Sequence, residues 1–336
     1  MKRLALFFQV ILILMVVSFS GCAAPTPTKE VTTDPTPTNE VFPLGSDKNP
    51  IIIGYVSPDS SPIAEDKLER VGSLLSADSG LSIKFQVFSS AKKLLSGITN
   101  QQIHSAWLYP ATYIYAHNKD LVTVRLLTNH FGSYFYGSQF LANSGDNFRS
   151  YFDSNAGTNN AEPQDALKQF DDKTPCFVEK TSLSGYVVPL GLLKKNQVET
   201  RAFALLKTPT AVVRALYIKG ICDFGVTYTY IGDPRTSNTV INDLSDAMTR
   251  IVIIFKSDSV IPMLNFSVSN KLQKDIAETL QQSMGDLIET TDGKDLLSEM
   301  LGYDIEDSKV VDDSVYDPLR GLITASGVPI EELIGW

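Results

Sequence analysis

Glu179-Lys180-Thr181-Ser182-Leu183-Ser184-Gly185-Tyr186-Val187-Val188-Pro189 joins an apolar strand, Cys176 to Glu179, to a helix expected from Ser184 to Lys194. Hydroxyl residues span the junction. A helix start presents backbone N–H groups with no intrahelical acceptor and the positive end of the dipole. It can seat an anion without any Lys or Arg. Ser182 and Ser184 can add hydroxyl donors to such a seat. The same pattern also reads as plain helix capping, which serine often performs.

Outward from this junction, strand and helix periods alternate. Upstream, Ile51 to Val56 is an apolar strand, and Leu68, Val71 and Leu75 recur at helical spacing before Gly80. Ile83, Phe85 and Val87 alternate with polar residues, Leu94, Leu95 and Ile98 mark a short helix, and Ser105 to Leu108 and Leu121 to Leu127 read as strands. Tyr134 to Ala142 is a long strand, followed by a polar stretch from Asp146 to Glu162. Downstream come helices at Pro163 to Phe170 and Pro209 to Lys219, strands at Ile221 to Val226, Arg250 to Phe255 and Leu264 to Val268, and helices at Lys271 to Leu287, Lys294 to Leu301 and Pro318 to Ala325. Alternation of this kind predicts an α/β architecture with mainly parallel sheets. The folded length is too great for one typical domain and predicts two lobes.

The first residues carry a separate message. Lys2 and Arg3 precede an apolar run, Leu4 to Val17, and Phe19-Ser20-Gly21 lead into Cys22. This is the layout of a secretory leader. The run of roughly 14 residues is short of the about 20 that a spanning helix needs. Cys22 after small residues resembles the lipobox of bacterial lipoproteins, so residues 1–21 are expected to be removed and Cys22 acylated as the membrane anchor. Residues 22–47, rich in Thr and Pro, are expected to form an extended tether.

Composition narrows the function classes. The formal net charge is −9, and removal of Lys2 and Arg3 makes it more negative, which argues against nucleic acid as a partner. His104, His117 and His130 belong to no HExxH pattern, and the sequence holds no Cys-x-x-Cys pair, no Gly-x-Ser-x-Gly elbow and no Walker loop. Neither a metal, a cofactor nor catalysis is expected. Outside Cys22 the cysteines are Cys176 and Cys222. An extracytoplasmic location permits a disulfide, but both lie in short apolar runs, and the reading favours two buried free thiols.

Taken together, Ser182-Leu183-Ser184-Gly185-Tyr186-Val187-Val188-Pro189 and six further blocks resemble, in order, the phosphonate/phosphite-binding family of ABC importers. These blocks are Ile53-Gly54-Tyr55-Val56-Ser57-Pro58, Ala106-Trp107-Leu108-Tyr109-Pro110-Ala111-Thr112-Tyr113, Tyr136-Gly137-Ser138-Gln139-Phe140, Asp165-Ala166-Leu167-Lys168, Lys219-Gly220-Ile221-Cys222-Asp223-Phe224-Gly225 and Ser257 to Pro262. The resemblance implies a type II periplasmic-binding-protein fold, with lobe 1 from 48–137 plus 260–336 and lobe 2 from 138–259. Two crossover strands would form the hinge.

It implies a monomeric, lipid-anchored protein outside the cytoplasm that captures a phosphonate- or phosphate-like oxyanion for an ABC permease. Ser182, Ser184 and the amides near Gly185 would hold the oxyanion, Tyr113 would offer a phenol and Asp223 a carboxylate. Tyr55 and Tyr109 complete the expected set. The chain also departs from the family pattern. Leu183 replaces a hydroxyl residue, Tyr109 replaces a glycine, and a tyrosine near Ala91 is missing. The extra aromatic bulk of Tyr109, with Tyr134 and Tyr136 near in sequence, favours a flatter or more apolar ligand. These departures also leave room for a sensing or scaffold lipoprotein of the same fold.

Overall fold

The computed structural model describes residues 41–57 and 65–335. The leader, Cys22 and the tether as far as residue 40 lie outside the described residues. The stretch 42–47, expected to belong to the tether, is already part of the folded body. Gly45 receives a 2.7 Å hydrogen bond from the Ser82 amide, and Lys48 Nζ lies 4.2 Å above the Phe42 ring. Among the described residues no helix is long and apolar enough to cross a membrane.

Strand and helix alternate first through Ile51–Val56 (β1), Glu65–Ser79 (α1), Ile83–Phe88 (β2), Ala91–Thr99 (α2), Ser105–Leu108 (β3), Pro110–Asn118 (α3) and Val122–Asn129 (β4). The local signals are plain. Ser90 caps α2 by accepting from the Lys93 amide, and Pro110 stands in the first turn of α3, where its missing N–H costs nothing. The chain then leaves through Phe135–Asn143 (β5) and a small hairpin, Phe152–Asp153 (β6) with Thr158–Asn159 (β7). Pro163–Leu167 (α4), Pro175–Phe177 (β8), Val188–Lys195 (α5), Ala204–Leu205 (β9), Pro209–Ile218 (α6) and Phe224–Thr229 (β10) follow. Next come Asn238–Ile241 (α7), Ala247–Arg250 (α8) and Ile251–Lys256 (β11). Ile261–Pro262 (β12) and Asn265–Ser269 (β13) bring the chain back. Lys274–Glu289 (α9), Thr291–Leu301 (α10), Asp307–Val310 (β14), Asp317–Ser326 (α11) and Ile330–Leu333 (α12) complete it.

Two sheets result, in the orders β14-β4-β13-β3-β1-β2 and β11-β5-β10-β8-β9. Both are mixed, which corrects the expectation of mainly parallel sheets. In the first, β2, β1 and β3 are parallel, while β13 runs against β3 and β4, and β14 against β4. In the second, β10 is parallel to β8 and β8 to β9, whereas β5 runs against both β10 and β11. Local alternation foretells only the parallel pairs joined through a helix. The strands that arrive from the other sheet carry no such restriction.

The passage between sheets is tight. β12 pairs with β5 through Ile261–Tyr136 and Pro262–Phe135. Further along, the Ser257 amide donates to the Ser138 carbonyl and the Ser138 amide to Ser257 Oγ, both at 2.8 Å. A Cβ at position 137 would lie 2.6 Å from Ser257 Oγ and 2.7 Å from the Asp258 carbonyl oxygen, so only glycine allows this approach.

Apolar packing follows the same plan. Ile51, Ile53 and Tyr55 on one face of β1 pack with Val71, Leu280, Met284 and Leu297. Leu141 and Cys176 pack with Val212 and Val213 of α6. A larger cluster is continuous from Leu94 and Ile114 through Phe140, Phe170 and Phe224 to Val188 and Leu322. That last contact sets Leu322, in the stretch 260–336, against α5. α11 lies on α5, where a Cβ at Gly191 would fall 2.3 Å from the Leu322 carbonyl oxygen, and Lys194 Nζ donates to the Ser326 carbonyl at 2.6 Å. α12 then contacts α3.

Cys176 and Cys222 are bonded to each other, with Cα atoms 5.6 Å apart, which corrects the expectation of free thiols. Cys176 lies in β8 and Cys222 just ahead of β10, and the parallel pairing of those strands brings them together. The bond closes a separation of 46 residues. A Cys176→Ala/Cys222→Ala variant is therefore expected to lose about 4 kcal/mol by the chain-entropy relation, measured by urea unfolding. Reductant should destabilise the wild type but not the variant.

Candidate functional site

In α/β sheets, ligand sites gather beyond the carboxyl ends of parallel strands. Here β2 delivers Ala91 at the start of α2, and β3 delivers Tyr109, Pro110, Ala111 and Thr112 at the start of α3. β8 of the second sheet delivers Thr181, Ser182, Leu183 and Ser184. These residues face one cavity of about 410 Å³. Tyr136 of β5 and the pair Leu333 and Ile334 complete its wall. A larger groove of about 750 Å³ runs along α1 and the edge strand β2, away from these strand ends.

The turn into α5 explains how the hydroxyls are arranged. Ser182 Oγ accepts from the Gly185 amide at 3.0 Å, and the Ser182 carbonyl accepts from the amides of Tyr186 and Val187 at 3.1 and 3.0 Å. This is a wide π-type turn, Leu183–Val187, that runs directly into α5. The amides of Leu183 and Ser184 come ahead of Tyr186, the first amide of the turn to reach a backbone acceptor. Ser182 thus performs the capping role. Ser184 is 8% exposed, and its carbonyl accepts from Ser138 Oγ at 2.7 Å. Its hydroxyl has no hydrogen-bond partner among the described residues.

Across the cavity, Thr112 is also 8% exposed. Its hydroxyl likewise has no partner among the described residues. Two hydroxyl residues without a side-chain partner among the described residues therefore line the cavity, one following β3 and one following β8. None of the described lining residues is Lys, Arg or His. Among the described residues there is no cluster able to hold a metal ion.

The rim is aromatic. Tyr109 stands edge-on to Tyr303 with ring centroids 6.3 Å apart. Burial pushes the Tyr136 phenol up, with smaller contributions from Tyr303 and Tyr109. Burial also pushes Tyr303 up, to about 12. These phenols stay neutral and present rings and O–H groups.

Of the residues singled out from sequence, the structure brings Ser182, Ser184 and Tyr109 to the cavity, with the Gly185 amide held by Ser182. Three others lie elsewhere. Tyr55 follows Ile51 and Ile53 on the sheet face packed by α1, α9 and α10, where its buried hydroxyl has no partner among the described residues. Asp223 sits at the amino end of β10, the opposite end from the cavity, and accepts from the Thr174 amide at 2.7 Å.

Tyr113 is fully buried one helical step from Thr112, and a step of about 100° turns it away from the cavity. Its hydroxyl donates to Asp313 Oδ1 at 2.8 Å. Thr112, Leu333 and Ile334 had not been singled out. Thr112 falls at a variable position of its motif, and Leu333 and Ile334 lie far along the chain from every other lining residue.

The Tyr113 contact belongs to a cluster that ties α3 to the segment before α11. Asp313 Oδ2 accepts from Arg320 Nη1 at 2.8 Å, and His117 Nε2 lies 3.3 Å away. Arg320 also bonds Asp317 at 2.9 Å. Burial acts to raise the Asp313 carboxyl, but its hydrogen bonds from Arg320 and Tyr113 hold it below the ordinary value.

A family model described as the periplasmic substrate-binding protein of phosphonate ABC transporters matches residues 53–316. No curated protein matches the sequence. Among solved structures, XAC2383 from Xanthomonas citri bound to chloride ion is 13% identical, with 82% of this chain and 97% of that one covered and a TM-score of 0.59. The same protein bound to ATP gives 11% identity, 84% and 98% coverage and a TM-score of 0.57. PhnD1 from Prochlorococcus marinus in complex with methylphosphonate gives 14% identity, 81% and 96% coverage and a TM-score of 0.52. At these identities the likeness is one of fold, the periplasmic-binding-protein fold.

The depressed Asp313 carboxyl makes a directional prediction. Its contribution to stability is fully present above the unfolded-chain value and is lost as pH falls through the lower folded value. Asp313→Asn is expected to cost roughly 1–3 kcal/mol at neutral pH, and the gap from wild type should close in strong acid. Urea unfolding across pH measures this, and a gap independent of pH would remove the carboxylate from the account.

Proposed function

This chain belongs to the periplasmic substrate-binding proteins of phosphonate ABC transporters, and from that premise we propose that its cavity captures a small oxyanion between the two sheets. Members of the family are solute-binding components and not enzymes, act outside the cytoplasm and hand a small molecule to a membrane permease. The observation that carries the reading is a pair of hydroxyl residues in the cavity lining, Ser184 and Thr112, whose hydroxyls have no partner among the described residues and which are carried by different sheets. The amides of Leu183 and Ser184 and the positive end of α5 add to the seat on one side. An oxyanion bound there replaces water on both hydroxyls and bridges residues carried by different sheets.

Such a bridge favours a closed arrangement of the lobes over an open one, because the ligand gains contacts from both only when they are together. The lobes of this reading are 48–137 with 260–336, and 138–259, α11 being the element that reaches from the first to the second. Acylated Cys22 would hold the monomer at the membrane beside its permease, with the Thr/Pro-rich stretch as spacer. Support for the anchor comes from the leader pattern ending in Cys22.

Calorimetric titration of the ligand-stripped protein with phosphate, methylphosphonate and methylsulfonate tests this. Ser184→Ala and Thr112→Ala are each expected to weaken the preferred anion by about 10- to 150-fold, the equivalent of about 1.5–3 kcal/mol per lost hydrogen bond to a charged group. Ser182→Ala, which removes a cap, should lower stability by about 1 kcal/mol with little change in affinity. Wild-type affinity in both hydroxyl variants would count against an oxyanion seat here.

A further inference from the structure

Asp223, placed away from the oxyanion cavity, lines a second one of about 320 Å³ at the opposite end of the same sheet. Asp146, Asn147 and Phe148, which follow β5, and Lys173, in the turn ahead of β8, share that lining. At about 30 Å³ per water-sized atom, the space holds on the order of ten such atoms. Phe148 gives it one apolar wall, with its ring centroid 5.4 Å from that of Phe170. The rest of the named lining is polar.

Its charges are unevenly matched. Asp146 Oδ1 already accepts from Lys219 Nζ at 2.7 Å. Lys219 makes that bond from a backbone of φ 69° and ψ 169°, a conformation nearly confined to glycine. Asp223 is fixed in place, because its Oδ2 accepts from the Thr174 amide at 2.7 Å and its own amide donates to the Thr174 carbonyl at 2.8 Å. Its Oδ1 has no hydrogen-bond partner among the described residues. Arg201, bonded to Asp172, adds only a more distant positive charge. Lys173 is half-buried, and its ammonium makes no hydrogen bond or ion pair among the described residues. One cation and one anion therefore line the same cavity without meeting, each with hydrogen-bonding capacity left over.

We propose that this cavity is a second ligand site, for a small zwitterion of the α-amino acid class, whose carboxylate meets Lys173 and whose ammonium meets Asp223. A zwitterion bridges the two side chains that do not reach each other, and it leaves the net charge of the site unchanged. Asn147 offers an amide to either end, and Phe148 offers its ring to a short apolar side chain. The site lies on the other side of the second sheet's strand ends from Ser184 and stands independently of the oxyanion reading.

The test is an amide NMR titration of the full-length protein with glycine, acetate and methylamine, the last two each carrying half of the zwitterion. Glycine is expected to shift the Thr174 amide, which is bonded to Asp223, and to bind about three- to tenfold more tightly than either half. Lys173→Gln should erase the margin over methylamine and keep the margin over acetate. Asp223→Asn, which keeps an oxygen for the Thr174 amide, should do the reverse. The Lys173 ammonium bonds nothing in the protein, so Lys173→Gln should leave the urea midpoint unchanged, and its result stands even where Asp223→Asn is destabilised. Equal binding of glycine and its halves, shifts centred on the Ser184 amide in place of Thr174, or margins unaltered by Lys173→Gln would overturn the site. None of these results bears on the binding of phosphate or methylphosphonate at Ser184 and Thr112.

Discussion

The approach of the two crossover segments at Gly137 is the constraint on which the remaining architecture depends. Ser138 and Ser257 exchange backbone and hydroxyl hydrogen bonds at 2.8 Å, and no side chain fits at position 137. This pairing sets one sheet relative to the other. It also reaches the turn after β8 directly, because Ser138 Oγ donates to the carbonyl of Ser184. The residue that crosses between sheets and the residue that offers a free hydroxyl are thus one hydrogen bond apart. A change in how the sheets sit would be felt at Ser184 through that bond.

α11 adds a second connection by an independent route. It leaves a turn bonded to α3, packs its backbone close to α5 and returns the chain to α3 as α12. Its two anchors differ in kind. The α5 contact is a close backbone approach reinforced by one lysine, whereas the α3 contact is a network around Asp313 in which Arg320 and Tyr113 compensate the burial of charge. Sheet motion of the type usual for this fold would have to carry α11 with one side or slide it against the other. The disulfide between Cys176 and Cys222 braces the second sheet at the amino end of β10, opposite to the cavity. The disulfide therefore lies behind the cavity, and the turn after β8 lies in front.

The cavity combines unpaired hydroxyls with a lining that contains no basic side chain among its described residues. For the oxyanion proposed above, charge compensation would come from N–H and O–H dipoles. Dipoles aimed at a fixed point suit a small anion, and the neutral phenols of Tyr109, Tyr136 and Tyr303 add no opposing charge. The chain as a whole is acidic, so a positive potential for the proposed anion would have to be local, which is what a helix start supplies.

Local chemistry carried much of this into the sequence. Apolar period, with glycine and proline at element ends, placed β1 to β3, α1, α2 and α6 close to where they lie, because each depends on neighbours a few residues away. The turn after β8 was legible for the same reason, and so were Ser182 and Ser184. What the linear chain could not decide was orientation and long-range meeting. Whether Thr112 or Tyr113 faces the cavity depends on the rotation of α3 against α11. Asp223 sits at the amino and not the carboxyl end of its strand, and Cys176 reaches Cys222 only through the pairing of β8 with β10. Leu333 and Ile334 carry no motif at all. They became part of the site because α11, seated on α5, delivers them there, and a contact between residues so distant along the chain is set by packing, which local sequence does not encode.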